Sequence, residues 1–387
     1  MITARSILLP VAAFGAVAHA QSLMDITEVR NPVLPWRTLF EVEAGVIGTE
    51  TPQEDAASGL ASGLGWDGHV YYRDEDFRDR TGTLVGYAGR DGIYAGLYDG
   101  QIIGNNTISR LELRGRPWQF YRDGAYRGRT FVPNGLYEGA DYEGYLGFGR
   151  EIDQGLYFEF GPYYRDHSFS ASSLTPGSFT LPSDFAAYGA RLFLEQNTTQ
   201  LDRRRNTPLE GGVLTIVAEQ EWNDSADAFG AAGFTSELPS QVWRARGRFE
   251  WYFPAAEDSV WEVFVHGVWR DKQDRVQNFE AQQPLGHQTA DGALRLRFQF
   301  GDSFTLTPYA IGQYSRIVGD AGGTSDNKFF FGGGVESWFH FNSSLSLHGW
   351  YSYMNNESRP SIRINEDMHG EHMFYLGIVM RFGGQRR

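Results

Sequence analysis

The sequence predicts an all-β chain folded as a closed antiparallel transmembrane β-barrel of about sixteen strands, with fourteen and eighteen as the even-numbered alternatives. Three observations predict it. A two-residue apolar/polar alternation recurs from end to end with no sustained helical period. The connections between the alternating runs switch between tight and long polar ones. The N-terminus reads as an export signal.

The signal comes first. In "MITARSILLPVAAFGAVAHA" Arg5 supplies the positive start, Ile7 to Val17 the apolar stretch, and Ala18-His19-Ala20 a small-x-small cleavage site. The expected organisation is a cleavable signal peptide at 1–20, a short periplasmic segment at 21–37, the barrel at 38–382 and a polar tail at 383–387. This places the chain in the outer membrane of a Gram-negative-type bacterium. After the N-terminus no window approaches about eighteen consecutive apolar residues, so no transmembrane helix is expected.

The strands follow in order. In "TLFEVEAGVIG", Phe40, Val42, Ala44 and Val46 oppose Glu41 and Glu43. In "SRLELRGRPW", Leu111, Leu113 and Gly115 oppose Arg110, Glu112, Arg114 and Arg116. "GVLTIVAEQEW" sets Leu214, Ile216 and Ala218 against Thr215, Glu219 and Glu221, with Val217 as an exception. "VWRARGRFEWYF" puts Trp243, Phe249, Trp251 and Phe253 on one parity and Arg244, Arg246 and Arg248 on the other. "ALRLRFQF" alternates Leu294, Leu296, Phe298 and Phe300 with Arg295, Arg297 and Gln299. Successive strand side chains point to opposite faces, so each run is apolar on one side and ionic on the other. An Arg at the lipid midplane costs about 2–4 kcal/mol, so the arginines belong inside. The expected lumen lining is Arg114, Arg244, Arg246, Arg248, Arg295 and Arg297 with Glu41, Glu43 and Glu112, to which Glu159 and Glu219 add carboxylates. In the final run, "HMFYLGIVMRF", Phe374, Leu376, Ile378, Met380 and Phe382 share the lipid parity and end on an aromatic, the pattern of a C-terminal barrel-assembly signal.

Polar stretches such as "YRDG", "SLTPGSFTLPSD", "NDSADAFGAAGFTSELPS" and "NNESRPSIRINEDMHG" read as loops, and "FPAAEDS" and "FGDS" as tight turns.

Composition excludes several functions. The chain of 387 residues has no cysteine, which removes disulfides, Cys-ligated zinc, Fe–S clusters and thiol catalysis. A net charge of −14 argues against nucleic acid as a partner. No cofactor is expected. Apart from Lys272 and Lys328 the basic residues are arginines, whose planar forks suit crowded ionic ladders. Ser346-x-His348 places a hydroxyl and an imidazole on one strand face about 7 Å apart, beyond nucleophile–base contact, and the bland reading is a pair of polar lumen residues. His369 and His372 with Glu366, Asp367 and Glu371 have ligand chemistry, but such loop clusters are usually solvated, and no metal site is assigned. No catalytic residue is named.

The segment "LDRRRNTPLEGG" holds Asp202, Arg205, Asn206, Pro208 and Gly211 between two strands. An ordinary hairpin turn accounts for it: Asn206 and Pro208 break the strand and Gly211 admits a positive φ. From about Phe185 to Phe382 the chain also resembles the barrel domain of the BamA-like (surface antigen) assembly and translocation factors, in which an Asp-x-Arg-x-Asn run with a following Pro and Gly makes a comparable turn. The family's Arg-Gly-aromatic motif does not occur at the corresponding loop, where "QPLGHQTADG" stands, and no periplasmic POTRA domains are expected ahead of the barrel. The resemblance implies a role in protein or lipid assembly. The first expectation from the residues is porin-like passage of small solutes through an Arg/Glu-lined lumen, the others being the assembly role and an outer-membrane lipid-modifying enzyme. The partners expected are outer-membrane lipid and lipopolysaccharide, periplasmic chaperones, the barrel-assembly machinery and small solutes.

Overall fold

The computed structural model describes residues 36–50, 63–77, 82–89, 92–100, 107–127, 130–153, 155–172, 175–202, 207–225, 227–231, 234–271, 286–317, 326–354 and 371–385. The expected signal peptide, most of the segment that follows it, Arg205, Asn206 and His369 lie outside these residues.

Among the described residues nineteen strands follow one another. They are β1 (Trp36–Glu50), β2 (Gly63–Asp76), β3 (Gly82–Gly89), β4 (Gly92–Asp99), β5 (Ile108–Arg127), β6 (Thr130–Asp153) and β7 (Leu156–Ala171). Next come β8 (Phe185–Asn197), β9 (Gln200–Asp202), β10 (Thr207–Asn223), β11 (Ala228–Ala231), β12 (Phe234–Glu237) and β13 (Gln241–Ala256). The last are β14 (Ser259–Arg270), β15 (Gly286–Phe300), β16 (Phe304–Ile317), β17 (Asp326–His340), β18 (Leu345–Met354) and β19 (Glu371–Gln385). All but β9, β11 and β12 form the wall. Each wall strand pairs antiparallel with the next, and β1 pairs with β19 from Trp36↔Gln385 to Glu50↔His372, closing sixteen strands into a barrel. The expected fold class and strand number hold. Closure leaves no free edge.

Alternation of exposure follows the sequence parity. On β19 Phe374, Leu376, Ile378, Met380 and Phe382 are exposed on the outer face, while Met373, Tyr375 and Val379 are buried inside. Leu111 and Leu113 face out, and Arg110 and Glu112 in. Val217, the apparent exception, points inward and packs on Tyr157 and Phe193. The outer surface is thus an apolar belt with Trp66, Trp222, Trp251 and Trp269 among its exposed rings, the surface a bilayer requires.

Three differences from the sequence reading have physical causes. The "YRDG" loop is instead part of β5, which with β6 makes a hairpin of 20- and 24-residue strands. Bulges at Arg116/Gln119 and Asp123/Gly124 let the ladder resume past Pro117 and the glycine. The polar tail begins later than expected: Gly383, Gly384 and Gln385 continue β19, paired with Leu39, Thr38 and Trp36. A Cβ on Gly383 would stand 1.8 Å from the Thr38 carbonyl oxygen, so glycine is what lets the two backbones meet there. The "NDSADAFGAAGFTSELPS" loop carries the small hairpin β11–β12.

That hairpin and the β7–β8 connection form a cap. They are joined by the Thr180–Gly230 pair, with N···O distances of 2.9 and 2.8 Å. Phe179, Phe229 and Leu238 pack on the inward-facing Tyr137, Phe185 and Ala187. The cap therefore covers the β6–β8 side of one mouth, the end opposite both termini of the barrel.

Candidate functional site

The inner wall is the site. Its charged residues come from alternate positions of neighbouring strands, and the register brings them into one lattice. On the β4–β13 side, Glu112 accepts bonds from Tyr94 (2.8 Å), Arg114 (3.2 Å) and Arg110. Arg110 reaches on to Glu159 (3.3 Å), which also accepts from Tyr145 (2.8 Å) and Tyr157 (2.6 Å). Glu143 takes Arg165 at 2.5 Å and Arg191 at 2.7 Å. Glu219 takes Arg191 at 2.6 Å, and Glu221 takes Arg165 and Arg244, both at 2.8 Å, and Tyr163 at 3.1 Å. Arg191 lies over the Tyr145 and Tyr163 rings at 4.7 and 5.1 Å. Glu112, Glu159 and Glu221 are 0% exposed, so water does not compete for these carboxylates. Bidentate and charge-assisted bonds of this kind are the strong ones.

The other side of the lumen, β14 to β2, keeps water contact at some of its charged groups. Arg295 bonds Glu262 (3.0 Å) and Glu336 (2.5 Å), and Arg381 bonds Glu41 (2.5 Å) across the β1–β19 seam. The side chains of Arg295, Glu336 and Arg381 stay 23%, 19% and 22% exposed. His348 joins Glu43 (2.8 Å) to Glu336 (3.3 Å), stacked 3.7 Å from Trp338. His69 stands 3.5 Å from Glu41 and 4.0 Å from Glu43.

The expected lining residues all lie on the inner parity, but their pairing differs from the sequence reading. Arg244, Arg246 and Arg248 are not an open basic stripe. Arg244 and Arg246 meet Glu219, at 3.4 and 3.6 Å, and Arg248 meets Glu250. Their carboxylates come from their own strand or the adjacent one. Glu41, Glu43 and Glu112 serve Arg381, His348 and the Arg110/Arg114 pair instead. Arg297 meets Glu262 at 3.3 Å and the Pro208 carbonyl. Sequence reasoning did not single out Arg165, Arg191, Glu143, Glu262 and Glu336. Arg165 shares the parity of Tyr157, Glu159 and Tyr163 in "LYFEFGPYYRD", and that parity was the available signal, blurred by tyrosines on both faces.

Ser346 and His348 are both buried on the inner face. The imidazole that contacts Ser346 is His340 Nδ1 (2.8 Å) on the neighbouring strand, with Arg381 at 3.3 Å. In the "LDRRRNTPLEGG" turn, Asp202 pairs with Thr207, and Pro208 sits at a register shift against Leu201 and Gln200. Gly211 has φ +89°, and a Cβ there would stand 2.2 Å from the Thr198 carbonyl oxygen. His372 faces outward and bonds Tyr351 at 2.6 Å.

No protein-family model matches the sequence, and no curated protein matches it. Among solved structures the barrel is similar to CdiB from Acinetobacter baumannii, with TM-score 0.53 and 10% identity over 89% of this chain and 60% of that one. It is similar also to BamA from Haemophilus ducreyi lacking POTRA domains 1-3 (TM-score 0.53, 9% identity, 90% of this chain and 70% of that one). CdiB from Escherichia coli gives TM-score 0.52 and 12% identity over 90% of this chain and 63% of that one. The chain thus spans about three fifths of the first of these proteins. The likeness is one of fold: this chain is a closed sixteen-strand barrel of the architecture seen in CdiB and BamA.

Proposed function

We propose that the chain is an integral barrel of the outer membrane that passes small polar solutes along the β14–β2 side of its lumen. The apolar outer belt supports the membrane setting. Tight turns such as Glu257–Asp258 lie at the end holding both barrel termini and the long connections at the other, the arrangement of barrels whose turns face the periplasm. One observation carries the transport reading: the inner wall is dry and locked by ion pairs around Glu112, Glu143, Glu159, Glu219 and Glu221, whereas Arg295, Glu336 and Arg381 opposite keep water contact. A sixteen-strand barrel is wide enough to hold an aqueous path beside the locked wall.

Guanidinium groups and carboxylates alternate along that path, so selectivity between cations and anions is weak. Refolded protein in planar bilayers should give discrete conductance steps, with a reversal potential near zero in a salt gradient. Changing Arg244, Arg246 and Arg248 together to Gln should leave that potential nearly unmoved, because these residues belong to the locked wall. Arg295→Gln with Arg381→Gln should shift it toward cations. A barrel that is folded but never conducts overturns the transport reading.

The fold likeness to BamA and CdiB favours a second reading, assembly or translocation of other outer-membrane proteins or lipids. Co-purification with an unfolded barrel client, in a protein that does not conduct, would select it.

A further inference from the structure

We propose that the outer face of β13–β16, at the end bearing the long connections, holds a binding site for the headgroup of a phosphorylated glycolipid of the surrounding leaflet. The proposal rests on the membrane setting argued above.

The site is a row of outward-facing residues, one from each strand. Trp269 on β14 is in register with Gln288 on β15, and Gln288 with Arg316 on β16. Trp243 on β13 meets Trp269 edge to face, with ring centroids 5.4 Å apart and planes at 76°. A cavity of about 430 Å³ opens among these four residues, with Arg270, Asp271 and His287 completing its lining. Below the row the outer face is apolar, with Val265, Leu294, Phe329 and Phe331 exposed. The row therefore sits where hydrocarbon gives way to headgroups, the level at which indole rings gather.

A rim of tryptophans alone would be an ordinary interfacial girdle. Arg316 makes this one different. Arg110, Arg165, Arg191 and Arg381 sit on the inner parity with carboxylate partners, whereas Arg316, like Arg150 near the opposite end of the wall, stands on the lipid parity. Its Nη1 donates to the Gln288 side-chain oxygen at 3.4 Å, which steadies the guanidinium at the mouth of the cavity. Near the interface an outward arginine costs about 0–1 kcal/mol, and its planar fork matches a phosphate. The exposed faces of Trp243 and Trp269 suit the apolar face of a sugar. An acylated, phosphorylated saccharide combines all three features, with its chains lying along the Phe329–Phe331 belt.

The test uses full-length protein in micelles containing either a diphosphorylated acyl-disaccharide or the same lipid dephosphorylated, with retained lipid read by native mass spectrometry. The wild type should hold the phosphorylated lipid at least about tenfold more strongly. Arg316→Gln should abolish that preference, Trp269→Ala should weaken both lipids alike, and millimolar inorganic phosphate should not displace the bound lipid. Equal retention of the two lipids by the wild type, or an unchanged preference in Arg316→Gln, overturns the site. Fractionation of the producing cells separates this from the membrane reading. A folded barrel found outside the outer membrane that still prefers the phosphorylated lipid overturns the location and upholds the site. One found in the outer membrane without the preference overturns the site alone.

Discussion

Replacing Glu221 with Ala should lower the stability of the barrel by about 3–5 kcal/mol, the range for removing one partner of a buried ion pair. Glu221 is fully buried and joins Arg165 on β7 to Arg244 on β13, with Tyr163 as a third donor. Without it two guanidinium groups remain inside the wall. Glu219 stands 3.8 Å from Arg165 and 3.4 Å from Arg244, which recovers part of the loss and points to the lower end of the range. Equilibrium urea unfolding of refolded protein should show the drop as a lower midpoint. Heat-modified gel mobility should show the folded band disappearing at a lower temperature. Glu237→Ala, in the exposed loop hairpin, should change neither. Equal midpoints for Glu221→Ala and the wild type would mean that the lattice does not brace the wall.

The second large effect concerns the face assignment. Leu296 lies on the outer parity of β15, opposite Trp261, between the exposed Leu294 and Phe300. Leu296→Arg puts a charge into hydrocarbon and should cost about 2–4 kcal/mol, with reduced yield in the membrane. The matched control is Gln313→Arg on β16, which points into the lumen in register with Asp291 and should be tolerated. Arg297→Leu is a poor control, because it strips Glu262 of one of its two guanidinium partners. If Leu296→Arg and Gln313→Arg insert and unfold alike, the inside and outside of the barrel have been misassigned.

Much of this architecture is legible in a chain of period two. "HMFYLGIVMRF" declares both of its faces, and the structure exposes one set and buries the other. The arginines of "VWRARGRFEWYF" could be placed inside on energetic grounds alone. Their partners could not. Arg191 and Glu143 meet at 2.7 Å although they are 48 residues apart and two strands removed, a contact that depends on register and strand tilt, neither of which is written in local spacing. Hence Glu41, Glu43 and Glu112 were reasonable candidates to neutralise the Arg244 stripe, while Glu219, Glu221 and Glu250 are the ones that do so. The Ser346 neighbour went unseen for the same reason: His340 lies six residues away across a turn, in register with it. The loop cap was hidden because "SLTPGSFTLPSD" and "NDSADAFGAAGFTSELPS" carry turn residues in quantity, and only their scattered Phe and Leu find the inner wall.

The account depends above all on closure of the barrel between its first and last strands, where Arg381 meets Glu41 and Phe40 lies 6.4 Å from Phe382. The chain contains no cysteine, so a pair introduced at Ala44 and Ile378, which are register partners on the outer face, reports on that seam without interference. Directly opposed strand residues fall within disulfide reach. Mild oxidation of membranes bearing Ala44→Cys with Ile378→Cys should yield an internally cross-linked band on denaturing, non-reducing gels. Ala44→Cys with Phe374→Cys, displaced by about 13 Å along the strand, should not. Failure of the first pair to cross-link, or equal cross-linking of both, would contradict a closed sixteen-strand barrel in this register.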